Sequence, residues 1–294
     1  AIYLHRTQTL MVKALDLHGR EVLVNSFKGH YHTRPIVRKQ TEIQEILNSK
    51  TVGGVGVFFG KLKVTEQVTG FQKINNHTQK TISKEQLDLP EQIIETEGVW
   101  LNLQEKHRVH MAVKELHFMG AIHAIEHTMI AMFPLLILCD RNDIGGISCP
   151  HHEQTGCPSI FLYDGYAGGA GLSLEAYTIV DTLLEQVEKT ICSCSCETGC
   201  PSCVHSPKCG SGNRPIDKAA ALHLVRQILL PEPGFRSNVS QQFALCDLGQ
   251  AMGKTELPVT AKLDLPSGLD TLPARYGVFD LETKFSAQEV GGWS

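Results

Sequence analysis

Cys192-Ser-Cys-Ser-Cys-Glu-Thr-Gly-Cys-Pro-Ser-Cys-Val-His-Ser-Pro-Lys-Cys209 places six of the ten cysteines of the chain within eighteen residues. Thiolates at such short spacings converge on one tetrahedral Zn²⁺, and Cys200-Pro-Ser-Cys203 is a C-x-x-C turn that offers two sulfurs to the same ion. Neighbours such as Cys192, Cys194 and Cys196 make a poor disulfide framework, so metal in a reducing cytosol is the expectation. Cys192 closes a helix and is left out of the set. Cys200, Cys203 and Cys209 are taken as three ligands and Cys196 or Cys194 as the fourth, which gives four among Cys194, Cys196, Cys200, Cys203 and Cys209. Four cysteines also suit an iron–sulfur cluster, but the short C-x-x-C loop favours zinc. With every position filled by protein, the ion is structural.

The sequence on either side of this knot is helical. Leu174 to Ile191 carries Ile179, Leu183, Leu184 and Val187 on one side and Glu185, Glu188 and Lys189 on the other. Pro215 to Leu230 reads as a second helix, with the proline at its first turn where a missing N–H costs little. The knot therefore joins two helices. Before them, Phe161 to Asp164 reads as a strand that runs into Gly165-Tyr-Ala-Gly168-Gly169-Ala-Gly171. Such a turn can bring N–H groups to a phosphate, although tight packing of strand on helix is the commoner use.

Further towards the N-terminus, apolar residues from Lys106 to Ile137 recur at helical spacing, which predicts one long, largely buried helix that Pro134 kinks or ends. It carries His123-Ala-Ile-Glu126-His127, the H-x-x-E-H order of inverted zinc metallopeptidases, in which two histidines bind Zn²⁺ and the glutamate activates water. With 14 histidines in the chain, a pair one turn apart arises easily, and structural, hydrogen-bonded histidines are the plainer expectation. Cys149, His151, His152 and Cys157 lie in what reads as an irregular loop, a weak second metal candidate.

Residues 2 to 27 alternate as paired strands, Ile2-Tyr-Leu-His, Thr9 to Leu15 and Glu21 to Asn25 forming a meander, and Val55 to Phe59, Leu62 to Thr65 and Gln67 to Phe71 extend the β-rich pattern. The glycines from 53 to 60 lack the Gly-Lys-Ser/Thr ending of a phosphate loop. Tyr31, Arg34, Arg38, Lys39, Lys61 and Lys63 form a candidate DNA-binding surface of cations with an aromatic. With a formal net charge of -4, nucleic acid must be met by such a local patch. The longest apolar run, Met129 to Cys139, falls short of the roughly 20 residues of a membrane span, and no secretory leader is recognisable. The chain is therefore expected in the cytoplasm, off the membrane, and as a piece of a longer protein.

The resulting expectation is an α+β fold: a β-rich part over 1–74, a mixed zinc-binding part over 75–230 with the long helix and the knot, a linker over 231–272, and a new strand in 273–294. In that strand Asp280 and Glu282 alternate about Leu281, which sets two carboxylates on one side, as a Mg²⁺ or Mn²⁺ site requires.

Ala1-Ile-Tyr-Leu-His, Tyr31-His-Thr-Arg-Pro, His123-Ala-Ile-Glu-His, Asp143-Ile-Gly-Gly, Tyr163-Asp-Gly-Tyr-Ala-Gly-Gly-Ala-Gly and Gly199-Cys-Pro-Ser-Cys-Val-His-Ser-Pro-Lys-Cys-Gly occur in that order. Together they resemble the C-terminal metal-binding domain of superfamily 2 DEAD/DEAH-box DNA helicases of the mitomycin-repair (MrfA/YprA-like) type, over about residues 1 to 230. The resemblance implies an ATP-dependent 3′ to 5′ repair helicase in which this domain sits beside the motor and holds or separates single-stranded or tailed DNA. ATP would belong to that motor, so this stretch alone is expected to be non-catalytic. Phe279-Asp-Leu-Glu-Thr-Lys is similar to the first motif of a ribonuclease H-like DEDD exonuclease, which implies Asp280 and Glu282 as its first metal pair and a 3′ to 5′ exonuclease in a fuller parent. The same resemblance counts against the peptidase.

Overall fold

The computed structural model describes residues 1–230. The linker expected over 231–272 and the Asp280/Glu282 pair lie outside the described residues. Strands β1 (Ile2–His5), β2 (Gln8–Asp16) and β3 (Glu21–Ser26) form the expected antiparallel meander. It joins the rest of the molecule where the Ile2 N–H donates to Thr33 Oγ1 at 2.8 Å.

The main sheet is built on a long hairpin of β4 (Tyr31–Val52) and β5 (Val55–Asn75). The second edge of β5 is shared between β7 (Gln92–Asn102) and the short β6 (Thr81–Gln86). Beyond β7 come β9 (Cys157–Asp164) and β8 (Ile144–His152), giving the order β4-β5-β7-β9-β8. The sheet thus runs across the division expected at residue 74, because the partners of β5 are β4 before it and β7 after it. Register shifts at Ile36/Val37, Ile43/Glu45 and Ile46/Asn48 bend β4. Gly60 sits opposite Gly98 in this region, and a Cβ at Gly60 would overlap the Glu45 carbonyl. The bend carries β4 back to the far edge: the Gln154 side chain accepts from the Ile43 N–H (2.7 Å) and donates to its carbonyl (3.0 Å). The sheet is therefore nearly closed.

Inside the curl, Phe58, Trp100 and Phe161 occupy matched positions on three adjacent strands. Their rings stack at 5.7 and 5.8 Å, and Ile43, Leu62 and Val64 complete this smaller core. The other face is covered by α2 (Phe118–Leu136), α4 (Val180–Ser193) and α5 (Lys218–Leu229). By length and composition α2 is apolar enough to cross a membrane, but most of it is buried among β8, α4 and α5.

The single helix expected over 106–137 is two. α1 (Glu105–Val113) ends where Glu115 adopts a positive φ of 56° and the Leu116 N–H returns to the Met111 carbonyl at 3.0 Å. α2 then starts with His117 as its cap, the ring Nδ1 accepting from the Gly120 N–H at 2.9 Å. The amphipathic segment before the knot is likewise divided at Ile179 into α3 (Leu172–Thr178) and α4.

Candidate metal centre

α4 buries Val180, Leu183, Leu184, Val187 and Ile191, so its last turn is fixed in the core. Its end, at Cys194, turns to extended backbone, and Cys194 and Cys196 follow at a spacing of two. The C-x-x-C turn is closed by the Cys203 N–H donating to the Cys200 carbonyl (3.0 Å), and the Cys200 N–H points at Cys203 Sγ (3.4 Å). Gly199, at φ 118°, makes the reversal between the two pairs.

The four sulfurs close on one another. Cys194 Sγ lies 3.5 Å from Cys196 Sγ and 3.5 Å from Cys200 Sγ, Cys196 to Cys203 is 3.5 Å, and Cys200 to Cys203 is 3.7 Å. A disulfide would bring two sulfurs to about 2.05 Å. Four sulfurs on a tetrahedron about 2.3 Å from a central Zn²⁺ are separated by about 3.8 Å. The donor set therefore fits a single zinc ion, and it is too compact to enclose several irons and their sulfides.

Lys218, at the start of α5, was not singled out in the sequence. Its Nζ donates to the carbonyls of Cys194 (2.6 Å) and Cys196 (2.5 Å) and approaches Cys196 Sγ at 3.4 Å. A cation there offsets the negative charge of a four-thiolate zinc centre and ties α5 to the end of α4. Burial alone would raise the Cys196 thiol, but hydrogen bonds from Cys203, Cys194, Cys200 and Lys218 outweigh it and hold it down to about 6. Burial pushes the most enclosed thiol, Cys203, up.

Cys209, expected on the same ion, is placed elsewhere. Cys194, Cys196, Cys200 and Cys203 already complete the tetrahedron, and the loop after Val204 carries Cys209 to α2, where its Sγ meets His123 Nε2 at 3.4 Å. His123 Nδ1 donates to the Pro215 carbonyl (2.8 Å) and His127 Nδ1 to the Val204 carbonyl (2.9 Å). Glu126 is buried and accepts from Ser148 Oγ at 2.5 Å. A carboxylate enclosed in this way is not set to activate a water for peptide hydrolysis, and the peptidase reading finds no support. Cys149 and His152 belong to a strand, β8, whose register shifts between them, rather than to a loop. Cys149 donates to the Ser159 carbonyl and His152 is bonded to Thr41, so the second candidate set is not gathered.

The glycine-rich turn is occupied by its own chain. Asp164, fully buried, accepts from the N–H groups of Ala170 (2.6 Å), Leu172 (3.2 Å) and Ser173 (2.8 Å) and from Ser173 Oγ (2.5 Å). Those donors hold a carboxylate rather than a phosphate.

The basic surface is divided. Lys39, Lys61 and Lys63 pair with Glu66 (2.9 Å), Glu45 (2.7 Å) and Glu42 (3.6 Å) on neighbouring strands, which cancels much of their pull on a phosphate. The Tyr31 ring packs against Phe27 and under Lys73. Arg34 and Arg38 have no carboxylate within 4.0 Å among the described residues. The Arg34 guanidinium lies against Gly212 of the knot loop. Beside it, an open cleft of about 720 Å³ is lined by His117, His205, Arg214 and Asp217.

A family model described as the MrfA Zn-binding domain matches residues 125–204. An uncharacterized ATP-dependent helicase, YprA, of Bacillus subtilis is 31% identical over 205 residues, covering 69% of this chain and 27% of that protein. An uncharacterized protein of Methanocaldococcus jannaschii is 35% identical over 111 residues, 37% of this chain and 99% of its own length. The crystal structure of the DUF1998 helicase MrfA bound to DNA aligns with a TM-score of 0.51 and 29% identity, over 77% of this chain and 29% of that one. The chain thus spans less than a third of the helicases it matches.

Proposed function

Because the chain belongs to the MrfA Zn-binding domain family and is homologous to the helicase YprA, we propose that it is the zinc-held accessory domain of an ATP-dependent DNA helicase, handling single-stranded or tailed DNA beside the motor. The observation that carries this reading is the four-sulfur tetrahedron within the matched family segment. Zinc in that centre would supply a crosslink that a chelator removes, with no open position to act as a Lewis acid, since all four ligands are thiolates. ATP hydrolysis would reside in motor domains of the same parent protein. The solved relative is bound to DNA, which supports a DNA-handling role here.

The residues of this chain that suit the role are Arg34 and Arg38, whose charge is not cancelled, together with Arg214 at the edge of the cleft. Lys39, Lys61, Lys63 and Tyr31 remain part of the proposed surface, with their paired or packed state lowering their share. DNA binding is measured by fluorescence anisotropy with a tailed duplex at several salt concentrations. We expect affinity that falls with salt, and a shallower salt slope by about one with Arg34→Ala. An Arg34→Ala protein with unchanged affinity and slope would remove this surface from the reading, and no binding at 50 mM salt would overturn DNA handling by the domain itself.

A further inference from the structure

We propose that His123, His127 and Cys209 form a second metal site, distinct from the four-cysteine knot, for a borderline divalent ion of the Zn²⁺ class. The inference does not depend on the helicase reading. One ring nitrogen of each histidine and the Cys209 sulfur all lie within 4.8 Å of one another. The two histidines are one turn apart on α2, with ring centroids 4.3 Å apart, so both project to the same side of the helix.

What sets them apart from ordinary core histidines is how the outer nitrogens are used. Each Nδ1–H is committed to a backbone carbonyl, of Pro215 for His123 and of Val204 for His127. That leaves both Nε2 lone pairs aimed inward, which is how protein carbonyls orient metal-binding imidazoles. The inward partner they have in common is one sulfur. A thiol has one proton and satisfies one such lone pair; a cation satisfies both and the thiolate too. The spacing agrees: ligands at about 2.0 and 2.3 Å from a tetrahedral Zn²⁺ stand about 3.5 Å apart, and His123 Nε2 to Cys209 Sγ is 3.4 Å.

The sulfur is itself held in place. The Asn213 N–H donates to it at 3.2 Å and Ser211 Oγ lies 3.1 Å away. Glu126, one residue before His127 on the same helix, is buried beside the site and bonded to Ser148 Oγ at 2.5 Å, which leaves the inward positions to the two imidazoles and the sulfur. Three protein donors leave the fourth position to water. The consequence is mechanical, because the ion would fasten the loop from Val204 to Pro215 onto α2, as the knot fastens its first half to α4 and α5.

The test is metal content and coordination of the intact chain. Zinc per chain is measured by mass spectrometry after dialysis against nanomolar free zinc, and zinc X-ray absorption reads the donor atoms. We expect two zinc ions per chain, with imidazole scattering present beside sulfur. Cys209→Ser and His127→Gln should each bring the content to one and leave a sulfur-only spectrum. A wild-type content of one with sulfur-only scattering overturns the proposal whatever the variants do, since the triad would then be a metal-free thiolate and imidazole cluster. Two ions retained in both variants, with imidazole signal unchanged, overturns it equally, because the second ion would sit elsewhere. Should a variant fail to fold, the wild-type donor count still decides.

Discussion

Replacing Asp164 by alanine tests whether the glycine-rich turn is a structural device. The carboxylate lies at the end of β9, fully buried, and takes four hydrogen bonds: three from N–H groups of the turn and the start of α3, and one from Ser173 Oγ. A hydrogen bond to a charged acceptor contributes about 1.5–3 kcal/mol, and a buried donor left without one costs about 1–3 kcal/mol. The four share one acceptor group and do not add, and the burial cost of the carboxylate is recovered when it is removed. A net loss of about 4 kcal/mol is expected for Asp164→Ala, and about 2 kcal/mol for Asp164→Asn, which keeps one acceptor oxygen. Denaturant unfolding with zinc saturating should show the midpoint falling in that order at unchanged slope, with zinc content unaltered. A loss under about 1 kcal/mol for Asp164→Ala would mean the turn is not held by this carboxylate.

Two further perturbations act on other parts of the fold. Lys218→Met removes the cation that bridges Cys194, Cys196 and the knot sulfur. Zinc affinity, measured by chelator competition, should fall about 10- to 100-fold, and affinity within twofold of wild type would deny the lysine this role. Burial of His107 holds its imidazole down to about 4 in the folded chain, while the unfolded chain takes up the proton near 6.5. The stabilising difference is therefore present above pH 6.5 and is lost as pH falls towards 4, by about 2 kcal/mol between pH 7 and 5. His107→Gln keeps an acceptor at the capping position where Nδ1 receives the Gln104 N–H. Its stability should fall less steeply over that window than wild type, and parallel curves would refute the assignment, since zinc loss in acid is common to both proteins.

The cysteine spacing made the knot legible, because C-x-C and C-x-x-C are local and their convergence needs no tertiary partner. Cys209 was misassigned for the opposite reason. Its partners lie 86 residues earlier, on α2, and chain separation carries no trace of that contact. Alternation made the meander and β5 legible, but not β4 or β8, whose bulges interrupt it, and not the continuity of the sheet past residue 74, since alternation does not say that β5 pairs with β7. The break before α2 left no familiar signal: a glutamate takes the left-handed position and a histidine caps the helix, where Gly and Ser, Thr, Asp or Asn are the usual choices. The glycine-rich turn was ambiguous in principle, because glycines announce exposed N–H groups without naming their acceptor.

The misplacement of Cys209 traces to the polar stripe on α2. His123, Glu126, His127 and Thr128 are all buried on an otherwise apolar helix, a costly arrangement unless each finds a partner. The partners come largely from the irregular segment between α4 and α5. His127 takes the Val204 carbonyl, Thr128 Oγ1 donates to that of Cys203 (3.2 Å), and His123 takes that of Pro215. Asp217 accepts from both Ala220 and His117, capping α5 while binding the start of α2. A chain segment without helix or strand must satisfy its buried carbonyls and N–H groups elsewhere, and here the side chains of α2 take the carbonyls of Cys203, Val204 and Pro215 while Lys218 of α5 takes those of Cys194 and Cys196. The knot and α2 are thus one mechanical unit, so loss of zinc should loosen the contacts of α2 with Cys203 and Val204 before it disturbs the stacked aromatic core on the opposite face of the sheet.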